Sequence, residues 1–191
     1  MEQGYAVAVA QARAGDPVAF RQLVERHSRG IFRLAFRITG NEQDAEDVVQ
    51  DTFLKLHRNL DKFEDRSALG TWLFRIATNC ALDLIRSRRR HQQGREPDDP
   101  EGLAAVDRLT SESPAPDRLV LSAEFRERVQ VALGRLSEAE RAAFVLRHFE
   151  GQGIEMIAAT LGLRQGAAKN TVFRAVAKLR GELEGYAAAS E

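Results

Sequence analysis

The 191-residue sequence has little cysteine, histidine and proline, and it has no long hydrophobic run. Its single cysteine, Cys80, leaves no disulfide framework, which fits a reducing cytoplasm. Its four histidines are scattered and cannot pair with cysteines at zinc-ligand spacing, so we expect neither a metal nor a cofactor. No window approaches the roughly 18 apolar residues of a membrane span. The N-terminus also lacks the basic start and apolar core of a signal peptide, so we expect no membrane insertion.

The net charge of zero conceals a strong segregation of charges along the chain. Asn41–Asp51 holds five acids and no bases, whereas Arg86–Arg95 holds five arginines and no acids. Glu96–Asp117 is again acidic, and Arg164–Arg180 holds five bases and no acids. Blocks of alternating sign favour separate surfaces for separate partners, and the two basic blocks are candidates for nucleic-acid phosphates.

Four of the five prolines lie between Gln92 and Asp117, a stretch that also holds few large apolar residues. This composition is typical of a linker. It predicts a first domain over residues 1–91, a linker over 92–117, a second domain over 118–185 and a short tail over 186–191.

Both flanks of the linker carry helical periodicity and start signals, and period-two alternation bounded by turns is absent. The sequence therefore predicts an all-α protein of two small helical domains joined by a flexible linker. The first long helix should end at Gly40, and a third should start near Thr71 after a loop. The predicted caps are Asp16 with Pro17 at the first helical position, Asn41, and a capping box of Ser137 and Glu140.

The C-terminal stretch has the pattern of a helix-turn-helix. A short helix, Ile154–Leu161, ends at Gly162, and a longer helix runs from about Gly166 to Leu183. An apolar stripe on the second helix leaves a polar face suited to base edges and phosphates, although an ordinary amphipathic hairpin with a solvated face would have the same pattern. The candidate DNA-binding residues are Arg164, Gln165, Lys169, Asn170, Arg174 and Lys178.

The helix that starts near Thr71 carries the second basic face of the protein, and this face includes the side-chain amide of Asn79. Such a face could bind DNA phosphates while reading a base, and the upstream aromatics Phe63 and Trp72 could hold unstacked bases. The alternative is that Trp72 belongs to the core and that the arginines are a helix C-terminus favoured by the dipole. The candidate residues are Phe63, Arg75, Asn79, Asp83, Arg86, Arg89 and Arg90.

An acidic helix start places Asp44, Asp47 and Asp51 on one face. Three interpretations are open, namely catalysis or metal binding, a docking face for a basic partner, and simple stabilisation by the helix dipole. No histidine, lysine or nucleophile is in register with these acids, so catalysis is the weakest of the three. Cys80 lies on a buried stripe and is predicted to be a core residue.

Taken together, these stretches resemble the sigma-70 superfamily, and most closely the two-domain extracytoplasmic-function (group IV) sigma factors. The resemblance lies in AGDPVAFRQLVERH, NEQDAEDVVQDTFLKLHRNLDKF, TWLFRIATNCALDLIRSRRR and LSEAERAAFVLRHFEGQGIEMIAATLGLRQGAAKNTVFRAVAKLR. It implies that DAEDVVQDTF docks on core RNA polymerase, with Asp44, Asp47, Gln50, Asp51 and Lys55 as the binding residues. It also implies that the Phe63 loop and the following helix read the −10 element, and that the helix-turn-helix binds the −35 element.

The resemblance predicts a promoter-specificity factor that is not an enzyme, with core RNA polymerase, promoter DNA and an anti-sigma factor as partners. Asn170 and Thr171 stand where many members have serine and arginine, so the −35 preference cannot be carried over. Two alternatives are a DNA-binding regulator that never contacts polymerase and an all-α protein-interaction module. The acidic face followed by the arginine-ended helix favours the sigma factor, because a plain repressor needs no such domain.

Overall fold

The computed structural model describes residues 2–63, 69–93 and 123–188. Within these ranges the regular structure is entirely helical, which confirms the predicted all-α fold. None of the described helices combines the length and the apolarity of a membrane span. Nearly all of the predicted linker lies outside the described residues. The α-helices are α1 (Glu2–Arg13), α2 (Pro17–Thr39), α3 (Glu42–Asn59), α4 (Leu69–Gln93), α5 (Ala123–Gly134), α6 (Glu138–Phe144), α7 (Ile154–Leu161) and α8 (Gln165–Ala188).

The ends of α2 and the start of α3 are set by local signals. Asp16 Oδ1 accepts a hydrogen bond from Val18 N at 2.8 Å, and Pro17 occupies the first turn of α2. Gly40 ends this helix in the left-handed conformation, with φ of 74°, which costs glycine little. Asn41 Oδ1 then accepts from Asp44 N at 2.9 Å and caps α3. These predicted caps are confirmed.

The N-terminal domain is built by α2, α3 and α4, which pack against one another, and α1 lies along α2. Its core is aliphatic and fully closed to solvent, with Leu23, Leu34, Leu56 and Leu73 among its largest buried side chains. Cys80 is buried in this core, as predicted. The domain thus presents only the outer faces of its helices to partners.

The C-terminal domain contains the predicted helix-turn-helix. α7 ends at Gly162, whose φ is 65°, and α8 begins at Gln165. Ala158 is buried where the two helices cross, because only a small side chain allows that approach. Before α7, the helix begun by α6 widens into a π-helix over Val145–Phe149. Such segments are rare and frequently occur at functional sites.

The two domains pack together, and one cluster of buried apolar residues runs through both. The C-terminal end of α2 is the main contact of the N-terminal domain. Arg141 Nη1 donates to the Ile38 carbonyl at 2.8 Å, and Gln130 Nε2 donates to the Phe36 carbonyl at 3.1 Å. Both carbonyls belong to the last turn of α2. The Phe36 carbonyl also accepts from Gly40 N at 2.8 Å, whereas helix geometry leaves the Ile38 carbonyl without an intrahelical partner. The second domain therefore helps to cap a helix of the first.

Candidate nucleic-acid and partner interfaces

The outer face of α3 carries most of the residues predicted to bind polymerase. Asp47, Gln50 and Asp51 are exposed, while the opposite face of the helix lies in the core. Lys55 is exposed on the flank towards α4, where its Nζ donates to Cys80 Sγ at 3.2 Å. This hydrogen bond raises the pKa of Lys55. The lysine therefore stays charged beside the acidic face.

Asp44 does not belong to the exposed acidic face, which corrects the sequence-based grouping. The residue is only 3% exposed and forms an ion pair with Arg88 of α4. Burial raises the pKa of its carboxyl group, and the charge of Arg88 opposes that rise. The periodicity of α3 placed the three acids together, but Asp44 lies at the edge that α4 covers.

An apolar groove that was not predicted from the sequence adjoins the α3 face, between α2 and α3. It encloses about 670 Å³ and is bordered on the acidic side by Glu46 and Gln50. The signal for it was Leu54, an apolar residue off the buried stripe that is 48% exposed. Its main apolar lining residues are Phe20, Val24, Phe32, Val49, Phe53 and Leu54.

The basic face of α4 is largely on the surface. Its arginines and Asp83 are exposed, and Asn79 is half-buried on the same helix. Arg86 is 3.8 Å from Asp83 within the helix. The residues that form this face, as predicted, are Arg75, Asn79, Asp83, Arg86, Arg89 and Arg90.

Phe63 is not on this face in the structure. It is only 6% exposed, and its ring packs against Trp72 at 5.5 Å between centroids. Arg13 of α1 donates to the Phe63 carbonyl at 2.7 Å and ties this segment to the domain. The expectation that Phe63 offers an open ring to an unstacked base is therefore wrong for this conformation. Trp72 packs on the core, as the core interpretation predicted, and residues 64–68 lie outside the described residues.

The outer face of α8 presents all of the predicted −35 candidates. Arg164, Gln165, Lys169, Asn170, Arg174 and Lys178 are all exposed. Phe173, which lies among them, is 73% exposed and is the most exposed large apolar side chain of the described residues. Thr171 is buried and donates to the Ala167 carbonyl at 2.8 Å. Of the two residues that depart from the family pattern, Thr171 is thus turned inward, whereas Asn170 is exposed.

Two of these cations contact Glu140, a buried residue of α6. Lys178 Nζ donates to Glu140 Oε2 at 2.7 Å, and Arg174 Nε lies 3.8 Å from Oε1. Burial alone would raise the pKa of Glu140, but the bonds from Lys178 and Ser137 outweigh it and leave the pKa below its ordinary value. Glu140 also completes the predicted capping box with Ser137, which is confirmed. The carboxylate therefore joins the start of α6 to α8.

The residues that join the two domains were not anticipated from the sequence. Glu138 lies 3.8 Å from Arg86 and 3.9 Å from Arg89, and both arginines belong to the basic face of α4. Arg37 forms an ion pair with Glu150 at 3.6 Å and stacks over the Phe149 ring at the π-helix. No local pattern identifies such partners, since the paired residues are about 50 or more positions apart in the chain.

Comparison with known proteins finds relatives for both domains. Residues 23–91 match the family model of sigma-70 region 2, and residues 126–179 match that of sigma-70 region 4. The ECF RNA polymerase sigma factor SigE of Mycolicibacterium smegmatis is 36% identical over 169 residues, which are 87% of this chain and 63% of that protein. The RNA polymerase sigma-H factor of Pseudomonas aeruginosa is 34% identical over 87% of either chain. CnrH, solved in complex with the cytosolic domain of CnrY, is 32% identical, with a TM-score of 0.65 over 94% of this chain and 96% of that chain.

Proposed function

The chain belongs to the extracytoplasmic-function group of the sigma-70 family, and we propose that three of its surfaces divide the work of a sigma factor. As a sigma factor it binds core RNA polymerase and directs transcription initiation at promoters, and it is not an enzyme. What the proposal adds is the assignment of particular residues to the polymerase, to the −10 element and to the −35 element.

The polymerase docks on the exposed face of α3. Asp47, Gln50 and Asp51 offer carboxylate and amide groups, and Lys55 is the cation that borders them, so a basic partner surface would be attracted to the two carboxylates. The neighbouring apolar groove continues this surface towards α2 and would accept apolar side chains of the same partner surface. Lys55, exposed at the opposite edge of the face, is the remaining candidate contact with the polymerase.

The −10 element is bound by α4. Its arginines supply phosphate contacts, which position DNA without reading its sequence. Asn79 carries both a donor and an acceptor and is the candidate for reading a base edge. Because Phe63 is packed on Trp72, stacking on this ring would require the segment after α3 to rearrange when DNA binds.

The −35 element is bound by α8, which enters the major groove as the second helix of a helix-turn-helix. Arg164 and Lys169 are exposed near its start and supply phosphate contacts. Arg174 and Asn170, one turn apart on the outer face, are the candidates for base contacts.

The observation that carries this assignment concerns α4 and α8, which belong to different domains. Each of these helices has a buried side and an exposed basic face. It is tested by open-complex formation with Asn79→Ala and Arg174→Ala holoenzymes. The promoters are first obtained by transcription of genomic fragments with core enzyme and this protein, and then mutated in either element. Loss of one base contact should cost ~1–3 kcal/mol of discrimination at the matching element.

Arg21→Ala, an exposed cation of α2 outside both faces, is the matched control and should behave as the wild type. If Asn79→Ala responds only to −35 changes, or Arg174→Ala only to −10 changes, the assignment of domains to elements is wrong. If both folded variants match the control, the DNA contacts lie elsewhere.

An anti-sigma factor is proposed as a further partner. Support comes from CnrH, which was solved in complex with the cytosolic domain of CnrY and covers nearly the whole of this chain. We place the protein in the cytoplasm, where RNA polymerase works. A pull-down from uninduced cells should recover a stoichiometric inhibitor, and recovery of polymerase alone would contradict this part of the proposal.

A further inference from the structure

Arg174, the candidate for a base contact on α8, has two neighbours within its own domain. Its Nε lies 3.8 Å from Glu140 Oε1, and its Nη2 donates a long hydrogen bond, of 3.5 Å, to Thr171 Oγ1. Neither contact involves Nη1, and the side chain is still 64% exposed. One edge of the guanidinium group therefore contacts the protein, while the group stays accessible to DNA.

Both acceptors are fixed by the fold. Glu140 is buried, and its Oε2 accepts from Lys178 Nζ at 2.7 Å and from Ser137 N at 3.1 Å. Thr171 is also buried, and its hydroxyl group donates at 2.8 Å to a carbonyl of its own helix. The hydroxyl oxygen keeps lone pairs with which to accept from the guanidinium group. Since neither acceptor is free to move, together they define one conformation of the arginine.

These two contacts matter more for DNA recognition than for folding. They are long, and the arginine is largely in water, so they contribute little to the stability of the free protein. An arginine loses rotamer freedom when it binds a base, however, and contacts that already restrict it reduce that loss. Bound DNA would also exclude water from the pair, which strengthens the attraction between carboxylate and guanidinium groups.

We propose that Glu140 and Thr171 are positioning residues for −35 recognition, which hold Arg174 in the conformation that reads a base edge. Hydrogen bonds to a base edge require aligned donors, and a guanidinium group held along one edge presents its outer nitrogen atoms in a defined direction. Thr171 is one of the two residues at which this chain departs from the family pattern, and its hydroxyl group supplies the second contact. The inference rests on the assignment of α8 to the −35 element, and the experiment below separates the two.

The test measures how well the holoenzyme discriminates between −35 sequences. Binding constants are determined for a promoter obtained as above and for versions of it with one base pair changed in the −35 element. The ratio of the two constants is the discrimination at that base pair. Arg174→Ala identifies the base pair that Arg174 reads, because discrimination is lost there. Partial unfolding of a variant changes both constants equally, so it leaves the ratio unchanged.

Glu140→Gln is the first test variant, because it removes the charge and keeps the shape of the side chain. At the base pair read by Arg174, we expect its discrimination to fall about two- to fivefold. The matched control is Glu182→Gln, since Glu182 is an acid of α8 that pairs with Arg135 rather than with Arg174. This control should discriminate as the wild type does.

Thr171→Val is the second test variant, because it removes the hydroxyl group and keeps the branched shape. Its matched control is Thr160→Val. Thr160 is likewise buried and donates at 2.8 Å to the carbonyl four residues earlier, but it lies on α7 and contacts no arginine in the described part of the chain. We expect discrimination to fall about twofold for Thr171→Val and to stay unchanged for Thr160→Val.

A carboxylate that acted only through its charge would give a different result. Its removal would tighten binding to every −35 sequence and leave the discrimination unchanged. That result, or equal discrimination by Glu140→Gln and Glu182→Gln, would overturn the inference. An equal fall for Glu140→Gln in an Arg174→Ala background would also overturn it, because the carboxylate would then act through another residue.

The behaviour of Arg174→Ala separates this inference from the proposed function. If this variant keeps full discrimination at every −35 position, the assignment of Arg174 to base reading fails, and the roles of Glu140 and Thr171 fail with it. If it loses discrimination while both test variants match their controls, only the positioning roles are wrong. A fall in discrimination with both test variants and with neither control supports both proposals.

Discussion

The buried carboxylate of Glu140 offers a sharp test of how α8 is held against α6. Its Oε2 accepts from Lys178 at 2.7 Å and from Ser137 N at 3.1 Å. Glu140→Gln removes only the charge. The side chain can still complete the capping box, because glutamine is also found at this position of the box. Glu140→Ala removes both interactions.

The expected costs follow from these two contacts. A hydrogen bond to a charged group contributes about 1.5–3 kcal/mol, but Lys178 is half-exposed and regains water when its partner is lost. We therefore expect Glu140→Gln to lower the free energy of unfolding by about 1–2 kcal/mol at pH 7. Loss of the capping box adds about 1 kcal/mol, so that Glu140→Ala should cost about 2–3 kcal/mol.

The sign of the pH dependence follows from the lowered pKa of Glu140. The folded protein favours the ionised carboxylate, so its contribution is complete above the ordinary glutamate pKa of about 4.3 and is lost as the pH falls through the folded value. The difference in stability between the wild type and Glu140→Gln should thus shrink between about pH 5 and pH 3.

Urea unfolding followed by circular dichroism at each pH measures this difference, and the comparison cancels the titration of the other acids. Glu155→Gln, an exposed acid with no such pair among the described residues, should match the wild type within about 0.5 kcal/mol. If Glu140→Gln also matches the wild type at pH 7, or if its deficit grows on acidification, Glu140 does not anchor Lys178 as described.

Three further predictions concern the N-terminal domain. Asp47→Arg should weaken binding to core polymerase by ~1–3 kcal/mol in an affinity titration while the fold is unchanged, and Glu25→Arg, an exposed reversal on α2, should leave binding intact. Asp44→Arg should instead destabilise the fold by about 2 kcal/mol or more, since it buries a cation beside Arg88. If the two aspartate reversals weaken polymerase binding equally in folded proteins, the separation of buried Asp44 from the exposed acidic face is wrong. Asp16→Ala should lower the stability by about 1 kcal/mol through loss of the α2 cap, and an unchanged melting temperature would show that Pro17 alone sets this helix start.

Local chemistry was sufficient to predict the helices, because a cap is made by residues within one turn of each other. Asp16, Asn41 and the Ser137–Glu140 box could be identified without any tertiary information, and so could the helix-turn-helix around Gly162. The exposed faces of α4 and α8 followed from periodicity, since a helix with one buried stripe must present its other residues to solvent.

Which residues at the margins of those faces are buried was decided only by the packing of one helix on another. Periodicity assigns a residue to a face, but it does not tell how far a neighbouring helix covers that face. Asp44 is covered by α4, and Phe63 is turned inward onto Trp72. The docking of the second domain on α2 and α4 brings Glu138 and Arg141 to partners that are about 50 and 100 residues away in the chain. Contacts over such separations arise from the shape and charge of the surfaces of two folded domains. No pattern within a single stretch of sequence encodes them.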